Sequence, residues 1–73
     1  MAVLSERLKE LRKAKGVSQK VLSQAMGMSV VGIQNYERET RVPNANVVIK
    51  LAAFFEVSTD YLLGCSDNPK RLK

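Results

Sequence analysis

The sequence predicts a small all-α domain of five short helices. Apolar residues recur three and four positions apart in several stretches, which is the spacing of one face of an α-helix. Serines and glycines divide these stretches at places where helices usually begin and end. The 73 residues have room for one domain. Because a domain of this size buries only about 60% of the surface of its unfolded chain, we expect modest stability.

The first predicted helix carries Leu4, Leu8 and Leu11 on one face. We expect Ser5 to be its N-cap, accepting a hydrogen bond from the backbone, and Gly16 to end it in the left-handed conformation. This helix is interpreted as scaffold. The side chains expected to form its solvated outer face are Arg7, Lys9, Glu10 and Lys13.

The next two helices flank Gly27, where the chain has to turn sharply. Ser18 is the predicted N-cap of the second helix, which runs to about Met26, and the third helix covers about Ser29 to Arg38. The residues that can point inward together are Leu22, Met26, Met28, Ile33 and Tyr36. At roughly 100° per residue, the opposite face of the third helix carries Ser29, Val30, Val31, Gln34, Asn35 and Arg38.

The valines on that outer face are informative because exposed valines at the head of a helix are unfavourable in water and mediocre helix formers. Their presence indicates a surface that is covered when the protein works. The alternative interpretation is that Val30 or Val31 packs under a neighbouring loop.

The last third of the chain predicts a fourth helix from about Asn44, apolar on several sides and therefore the most buried segment. Ser58 is the predicted N-cap of a short fifth helix that ends at Leu63. We place the domain at residues 1–64 and a mobile basic tail at residues 65–73. The predicted core is Leu4, Leu8, Leu11, Val17, Leu22, Met26, Ile33, Tyr36, Val48, Leu51, Phe54, Val57 and Leu62. The apolar residues left over as candidates for a partner surface are Val47, Tyr61 and Leu63.

Composition narrows the classes of function. A net charge of +5 and a pI near 9.7 favour a polyanionic partner, although a solubilising surface would carry the same charge. The chain has one cysteine, Cys65, and no histidine, which excludes an intramolecular disulfide and a metal site of the usual Cys/His kind. This cysteine usage suits a reducing cytoplasm.

An enzyme is not expected, because the chain lacks histidine, a glycine-rich phosphate loop and carboxylates paired in a plausible pocket. Cys65 has no candidate base beside it in sequence. We therefore expect no cofactor, no metal and no small-molecule ligand. No stretch approaches the roughly 20 apolar residues that span a bilayer, and the N-terminus lacks the layout of a secretory signal.

Residues spread over roughly Leu4 to Gly64 resemble the Cro and phage-repressor family of helix-turn-helix domains, also called the Xre type. The matching residues are Ser18-Gln19, Leu22, Met26-Gly27-Met28-Ser29, Ile33, Tyr36-Glu37-Arg38, Pro43, Leu51-Ala52, Val57-Ser58, Asp60 and Leu62-Leu63-Gly64. The resemblance implies a compact five-helix, lambda-repressor-like domain with helices 2 and 3 as the helix-turn-helix. A helix, a turn and a helix alone would be weak evidence.

The resemblance implies a regulator of transcription that binds double-stranded DNA sequence-specifically, most simply a repressor that acts as a homodimer on a palindromic operator. The third helix would lie in the major groove, where the residues expected to read bases are Val30, Val31, Gln34 and Asn35. The side-chain amides suit adenine and the valine methyl groups suit thymine, which favours an A/T-containing half-site. The residues expected to contact the DNA backbone are Ser18, Gln19, Ser29, Arg38, Arg41 and Asn44.

The resemblance further implies an ion pair between Arg12 of the first helix and Glu37 of the third. Glu39 and Glu56 stand where the family commonly has glycine at a helix end. Thr40, Arg41, Asn44 and Asn46 form a polar loop around Pro43 that suits phosphate contacts. Two alternatives stay open: Gln19 as an ordinary exposed residue, and this loop as an ordinary surface loop. The tail cations Lys70, Arg71 and Lys73 would add weak, salt-screened attraction to DNA.

The runner-up function belongs to another class. The same fold could serve as an antitoxin or as a module that binds a protein partner, and both roles coexist in proteins resembling this one. A copurifying protein partner, or a small toxin gene beside this one, would identify that class.

Overall fold

The computed structural model describes residues 2–70, and within them the chain forms five α-helices and no strand. The helices are α1 Ala2–Lys15, α2 Gln19–Met26, α3 Val30–Glu37, α4 Ala45–Phe55 and α5 Thr59–Leu63. The predicted all-α class and helix order are confirmed. The expectation for the cations Arg71 and Lys73 lies outside the described residues.

One predicted helix start is wrong. Ser5 is not the N-cap of α1, because the helix already begins at Ala2 and the Ser5 side chain is buried inside it, 1% exposed. Leu4 and Leu8 are both buried in the core, and residues four positions apart on an α-helix lie on the same face. Burial of Leu4 therefore extends the helix past the serine.

The other four helices each begin after a capping residue, and two of these caps, Ser18 and Ser58, were predicted. In each, a side-chain oxygen accepts a hydrogen bond from the backbone N–H three residues further on, which satisfies one of the orphan donors of a helix start. The pairs are Ser18 with Val21 at 3.0 Å, Ser29 with Gly32 at 3.3 Å, Asn44 with Val47 at 2.9 Å and Ser58 with Tyr61 at 2.9 Å.

All five helices within residues 2–70 end in the same turn. A residue with positive φ follows the helix, and the N–H of the next residue donates to the carbonyl oxygen five positions earlier, which defines a Schellman motif. The residues with positive φ are Gly16, Gly27, Glu39, Glu56 and Gly64. Glu39 and Glu56 thus adopt, at φ of 65° and 58°, a backbone that glycine adopts more easily.

The core lies where α1 packs against α3, α4 and α5, and α2 packs against α3 and α4. Nine predicted core residues are buried: Leu4, Leu8, Leu22, Met26, Ile33, Val48, Leu51, Val57 and Leu62. The other four, Leu11, Val17, Tyr36 and Phe54, are half-buried. Ala52, which the sequence analysis left out of the core, is 2% exposed.

The expectation that α4 is the most buried segment is wrong. Val48, Leu51 and Ala52 face the core, but Ile49 is 57% exposed and Lys50 also lies at the surface. Ile49 stands one residue, or roughly 100°, from Val48, which turns it away from the face that packs. The helix is therefore amphipathic in position although it is apolar in composition.

Candidate nucleic-acid interface

The helix-turn-helix is built by α2, the turn at Gly27 and α3. Leu22, Met26 and Ile33 are buried between the two helices and the rest of the core. Gly27 has φ 70°, and Ser29 caps α3 soon afterwards, so three residues suffice to connect the two helices. Packing on one side of α3 leaves its other side at the surface.

The four predicted base-reading residues are all accessible on that outer side. Val31 is 56% exposed, while Val30, Gln34 and Asn35 are half-buried. The alternative interpretation required Val30 or Val31 to be buried beneath a loop, and neither valine is buried. The outer side of α3 therefore combines valine methyl groups with two side-chain amides.

The two amides on α3 are held differently. Gln34 Oε1 lies 3.5 Å from Nη2 of Arg38, at the limit of a hydrogen bond. Asn35 Oδ1 lies 3.1 Å from the hydroxyl oxygen of Thr40, in the loop after α3. Nδ2 of Asn35 makes no hydrogen bond within residues 2–70, so both of its hydrogens are available to a ligand.

Three of the residues expected to contact the DNA backbone also cap helices. Ser18, Ser29 and Asn44 use a side-chain oxygen as an acceptor for the N–H at a helix start. Capping leaves the hydroxyl hydrogen of each serine and the amide hydrogens of Asn44 able to donate. Arg38 and Arg41 are exposed and make no ion pair within residues 2–70. The interface therefore offers neutral donors and two cations.

Gln19 is tied into a polar network instead of being an ordinary exposed residue. Its Nε2 donates to Oε1 of Glu37 at 3.0 Å, which leaves its second N–H hydrogen available. The same carboxylate accepts from Arg12, from Nε at 2.7 Å and from Nη2 at 3.2 Å. Arg12 also donates to the carbonyl oxygen of Val17 at 3.2 Å.

This network contains the ion pair that the family resemblance implies, and it is largely shielded from water. The side chain of Glu37 is 5% exposed and that of Arg12 is 15% exposed. The carboxylate accepts three hydrogen bonds, so its burial is compensated. α1, the start of α2 and the end of α3 are thereby fixed relative to one another.

A second accessible apolar surface lies where α4 and α5 meet the loop before α4. A shallow groove there is lined by Pro43, Ala45, Val48, Ile49, Thr59 and Leu63. Of the predicted partner-surface residues, Leu63 lines this groove, whereas Val47 packs against the core and Tyr61 lies beneath a guanidinium group. Ile49 and Val42, at 57% and 62% exposure, were missed. Counting one helical position from the core residue Val48 would have identified Ile49.

The guanidinium over Tyr61 belongs to Arg7, which was expected to be solvated. It lies 4.1 Å from the ring centroid and donates to the carbonyl oxygens of Tyr61 and Ser66, and it pairs with Asp67 at 2.9 Å. That expectation is wrong because α5 and the segment after it pack against α1 at this side chain.

The boundary of a mobile tail stays a prediction. Within residues 65–70, Pro69 accepts a hydrogen bond from the N–H of Ser58 at 2.9 Å.

Two further properties concern residues 2–70. None of their helices combines the length and the apolar character that crossing a lipid bilayer requires. They also hold no group of three or more His, Cys, Asp or Glu side chains placed to bind a metal ion.

Comparison with known proteins places this geometry in a family. The helix-turn-helix family model matches residues 8–62. The HTH-type transcriptional regulator ImmR of Bacillus subtilis strain 168 is 38% identical over 68 residues, which are 93% of this chain and 54% of ImmR. The chain spans about half the length of the curated relatives it matches.

Solved structures resemble the fold closely. The P22 c2 repressor, crystallised with a synthetic operator, aligns with a TM-score of 0.77 and 32% identity over 81% of this chain and 89% of its own. The N-terminal DNA-binding domain of SinR from Bacillus subtilis aligns with a TM-score of 0.79 and 28% identity over 86% of this chain and 93% of its own. The chain therefore belongs to the Cro and phage-repressor (Xre) family of helix-turn-helix domains, with their lambda-repressor-like fold.

Proposed function

We propose that this chain binds double-stranded DNA sequence-specifically through α3 and represses transcription by occupying an operator. The observation that carries the proposal is the accessible outer side of α3, with two valines and two amides, in a fold similar to that of a repressor crystallised with its operator. The N-terminal part of an α-helix fits the DNA major groove, where base edges are distinguishable.

In this proposal the chemistry of the side chains divides the contacts. Gln34 and Asn35 offer an acceptor and a donor that match N6 and N7 of adenine, while Val30 and Val31 offer methyl groups to thymine. The residues assigned to phosphate oxygens are Ser18, Gln19, Ser29, Arg38, Arg41 and Asn44. We propose no catalytic activity. We place the protein in the cytoplasm, together with the DNA that it binds.

We further propose a homodimer that pairs through the groove between α4 and α5. The groove is lined by Pro43, in the loop after α3, and by Ala45, the first residue of α4, so a twofold axis there would bring the loops that follow the two α3 helices near each other. Two half-sites about 34 Å apart on a near-palindromic operator would match such a dimer.

Ile49 gives the sharpest test of the dimer because it is exposed and lines the groove. Ile49→Lys should shift the protein to monomer in analytical ultracentrifugation at high micromolar concentration. Val21→Lys, at an exposed valine outside the groove lining, serves as the matched control and should leave the mass unchanged. A wild-type protein that sediments as a monomer both alone and on operator DNA would exclude the dimer.

The function itself is tested by selection from a randomised duplex library with the full chain. Fluorescence anisotropy of the enriched and a scrambled duplex at two salt concentrations then measures specificity. A palindrome preferred by about 10³ or more supports the repressor. Equal, weak binding that vanishes with salt would show generic charge attraction, and would favour the runner-up, a module that binds a protein partner.

A further inference from the structure

We infer that Thr40, which lies outside the recognition helix, orients the side-chain amide of Asn35 and thereby sharpens base discrimination at one position of the operator. This inference rests on the proposed DNA-binding function, since it concerns how Asn35 meets a base.

The turn after α3 brings the two residues together. Glu39, at φ 65°, bends the chain back so that the N–H of Thr40 donates to the carbonyl oxygen of Asn35 at 3.0 Å. The N–H of Arg41 donates to the same oxygen at 3.3 Å. The hydroxyl oxygen of Thr40 consequently lies 3.2 Å from that carbonyl oxygen and 3.1 Å from Oδ1 of Asn35.

A count of hydrogens and lone pairs decides between the two acceptors. The carbonyl oxygen of Asn35 has two lone pairs, and the backbone N–H groups of Thr40 and Arg41 already occupy both. The single hydroxyl hydrogen of Thr40 is therefore best used on Oδ1 of Asn35, which has no other donor within residues 2–70. In the reverse orientation Nδ2 would donate to the hydroxyl oxygen, but the hydroxyl hydrogen of Thr40 would then meet only the fully occupied carbonyl oxygen of Asn35. The contact therefore favours the orientation in which Oδ1 faces Thr40.

The preferred orientation leaves the atoms that read a base free. Oδ1 keeps its second lone pair and Nδ2 keeps its hydrogens, which is the acceptor and donor set that matches adenine N6 and N7. Without the hydroxyl, the amide would populate both orientations, and the fraction in the wrong one would weaken apparent binding in proportion. Ordering one side chain beforehand corresponds to about a 2- to 10-fold gain in affinity.

The turn itself does not depend on the hydroxyl. The other four helices end in the same motif, and the residues at the position of Thr40 are Val17, Met28, Val57 and Cys65. None of these side chains makes a hydrogen bond to the helix it follows within residues 2–70, yet each turn is closed by its backbone. A valine at position 40 is thus compatible with the turn and removes only the contact with Asn35.

The experiment compares Thr40→Val, which is nearly isosteric, with Thr40→Ser, which keeps the hydroxyl. On the selected operator, Thr40→Val should weaken binding about 2- to 10-fold, and Thr40→Ser should restore most of the loss. Binding to the scrambled duplex should not change for either variant. In an Asn35→Ala background, Thr40→Val should have no further effect on the operator.

A second readout needs no DNA. The NMR order parameter of the Asn35 side-chain amide should fall in Thr40→Val and return in Thr40→Ser, with the melting temperature nearly unchanged. An unchanged order parameter would overturn the inference even if specific DNA binding is found. Equal weakening on operator and scrambled duplexes, or a loss that persists without Asn35, would also overturn it, because the hydroxyl would then act on phosphate. If the wild-type protein prefers no duplex while the order parameter falls, the proposed function fails and the positioning contact stands.

Discussion

The ends of α3 and α4 use the same backbone turn for different purposes. Both helices are followed by a glutamate with positive φ, Glu39 at 65° and Glu56 at 58°. Val57 follows Glu56 and is buried, and its N–H donates to the carbonyl oxygen of Ala52, which is buried as well. Thr40 follows Glu39 and is exposed, and it contacts Asn35, which is half-buried. One backbone motif therefore closes the core in one place and, in the other, shapes the surface that reads DNA in our proposal.

The two helix ends are also anchored by different interactions. The last turn of α3 holds Glu37, which accepts hydrogen bonds from Arg12 and Gln19. The last turn of α4 holds Phe54 and Phe55, which pack against the core and meet edge to face at 5.0 Å. The surface that reads DNA in our proposal is thus held by polar contacts, whereas the end of α4 is held by apolar ones.

The largest effect is expected at the polar anchor. Glu37→Ala would leave the guanidinium of Arg12 shielded from water without its carboxylate, and should lower the free energy of unfolding by about 3 kcal/mol. Urea unfolding of the variant measures the loss. Arg12→Ala combined with Glu37→Ala should lose clearly less than the sum of the single changes. A loss of only a few tenths of a kcal/mol would show that the network contributes little to holding α3.

The turn after α4 should lose less stability when it is changed, and the change should leave DNA binding unaffected. Val57→Ala removes two methyl groups from a residue that is 6% exposed, and should lower the free energy of unfolding by about 1–2 kcal/mol. Thr40→Ala, at the matching position after α3, should change stability by at most about 0.5 kcal/mol. Operator affinity of the folded Val57→Ala protein should equal that of wild type. A larger stability loss for Thr40→Ala than for Val57→Ala would contradict the contrast between the two turns.

The smallest effect is expected from replacing the two glutamates. Glu39→Gly and Glu56→Gly should each raise the free energy of unfolding by up to about 1 kcal/mol, because glycine adopts positive φ without a clash of its Cβ atom. For a domain of this size that corresponds to about 4–8 °C in Tm, measurable by thermal denaturation.

The same pair separates strain from charge. Glu39→Gly also removes a negative charge beside Thr40 and should tighten DNA binding at low salt, whereas Glu56→Gly should not. Glu39→Gln keeps the positive φ and removes the charge, so it should tighten binding without raising Tm. Equal affinity gains at both positions would place Glu56 near the DNA as well.

Most of the fold could be predicted from the sequence because its signals are local. The caps Ser18, Ser29 and Ser58 act within three residues, and helical spacing alone selected Leu8, Leu22 and Ile33 for the core. The failures came where burial overrode a local signal. Ser5 had the chemistry of a cap, but burial of Leu4 extended the helix beyond it.

The candidate site could likewise be predicted only in part. The sequence by itself determined which side of α3 stays accessible, since removing the inward residues leaves Val30, Val31, Gln34 and Asn35. It did not determine the partners of the polar groups, apart from the Arg12 and Glu37 pair that the resemblance implies. The link from Gln19 to Glu37 spans 18 positions and that from Arg7 to Asp67 spans 60.

Such contacts depend on how whole helices are placed against one another, and no periodicity within a helix records that placement. Even the short reach from Thr40 to Asn35 depends on a glutamate adopting the left-handed conformation, which its residue type disfavours. The sequence thus determined the helices, their caps and the exposed side of α3, because neighbouring residues produce them. Only the tertiary structure decided which side chains hold that surface in place, because those contacts join helices that are distant in the chain.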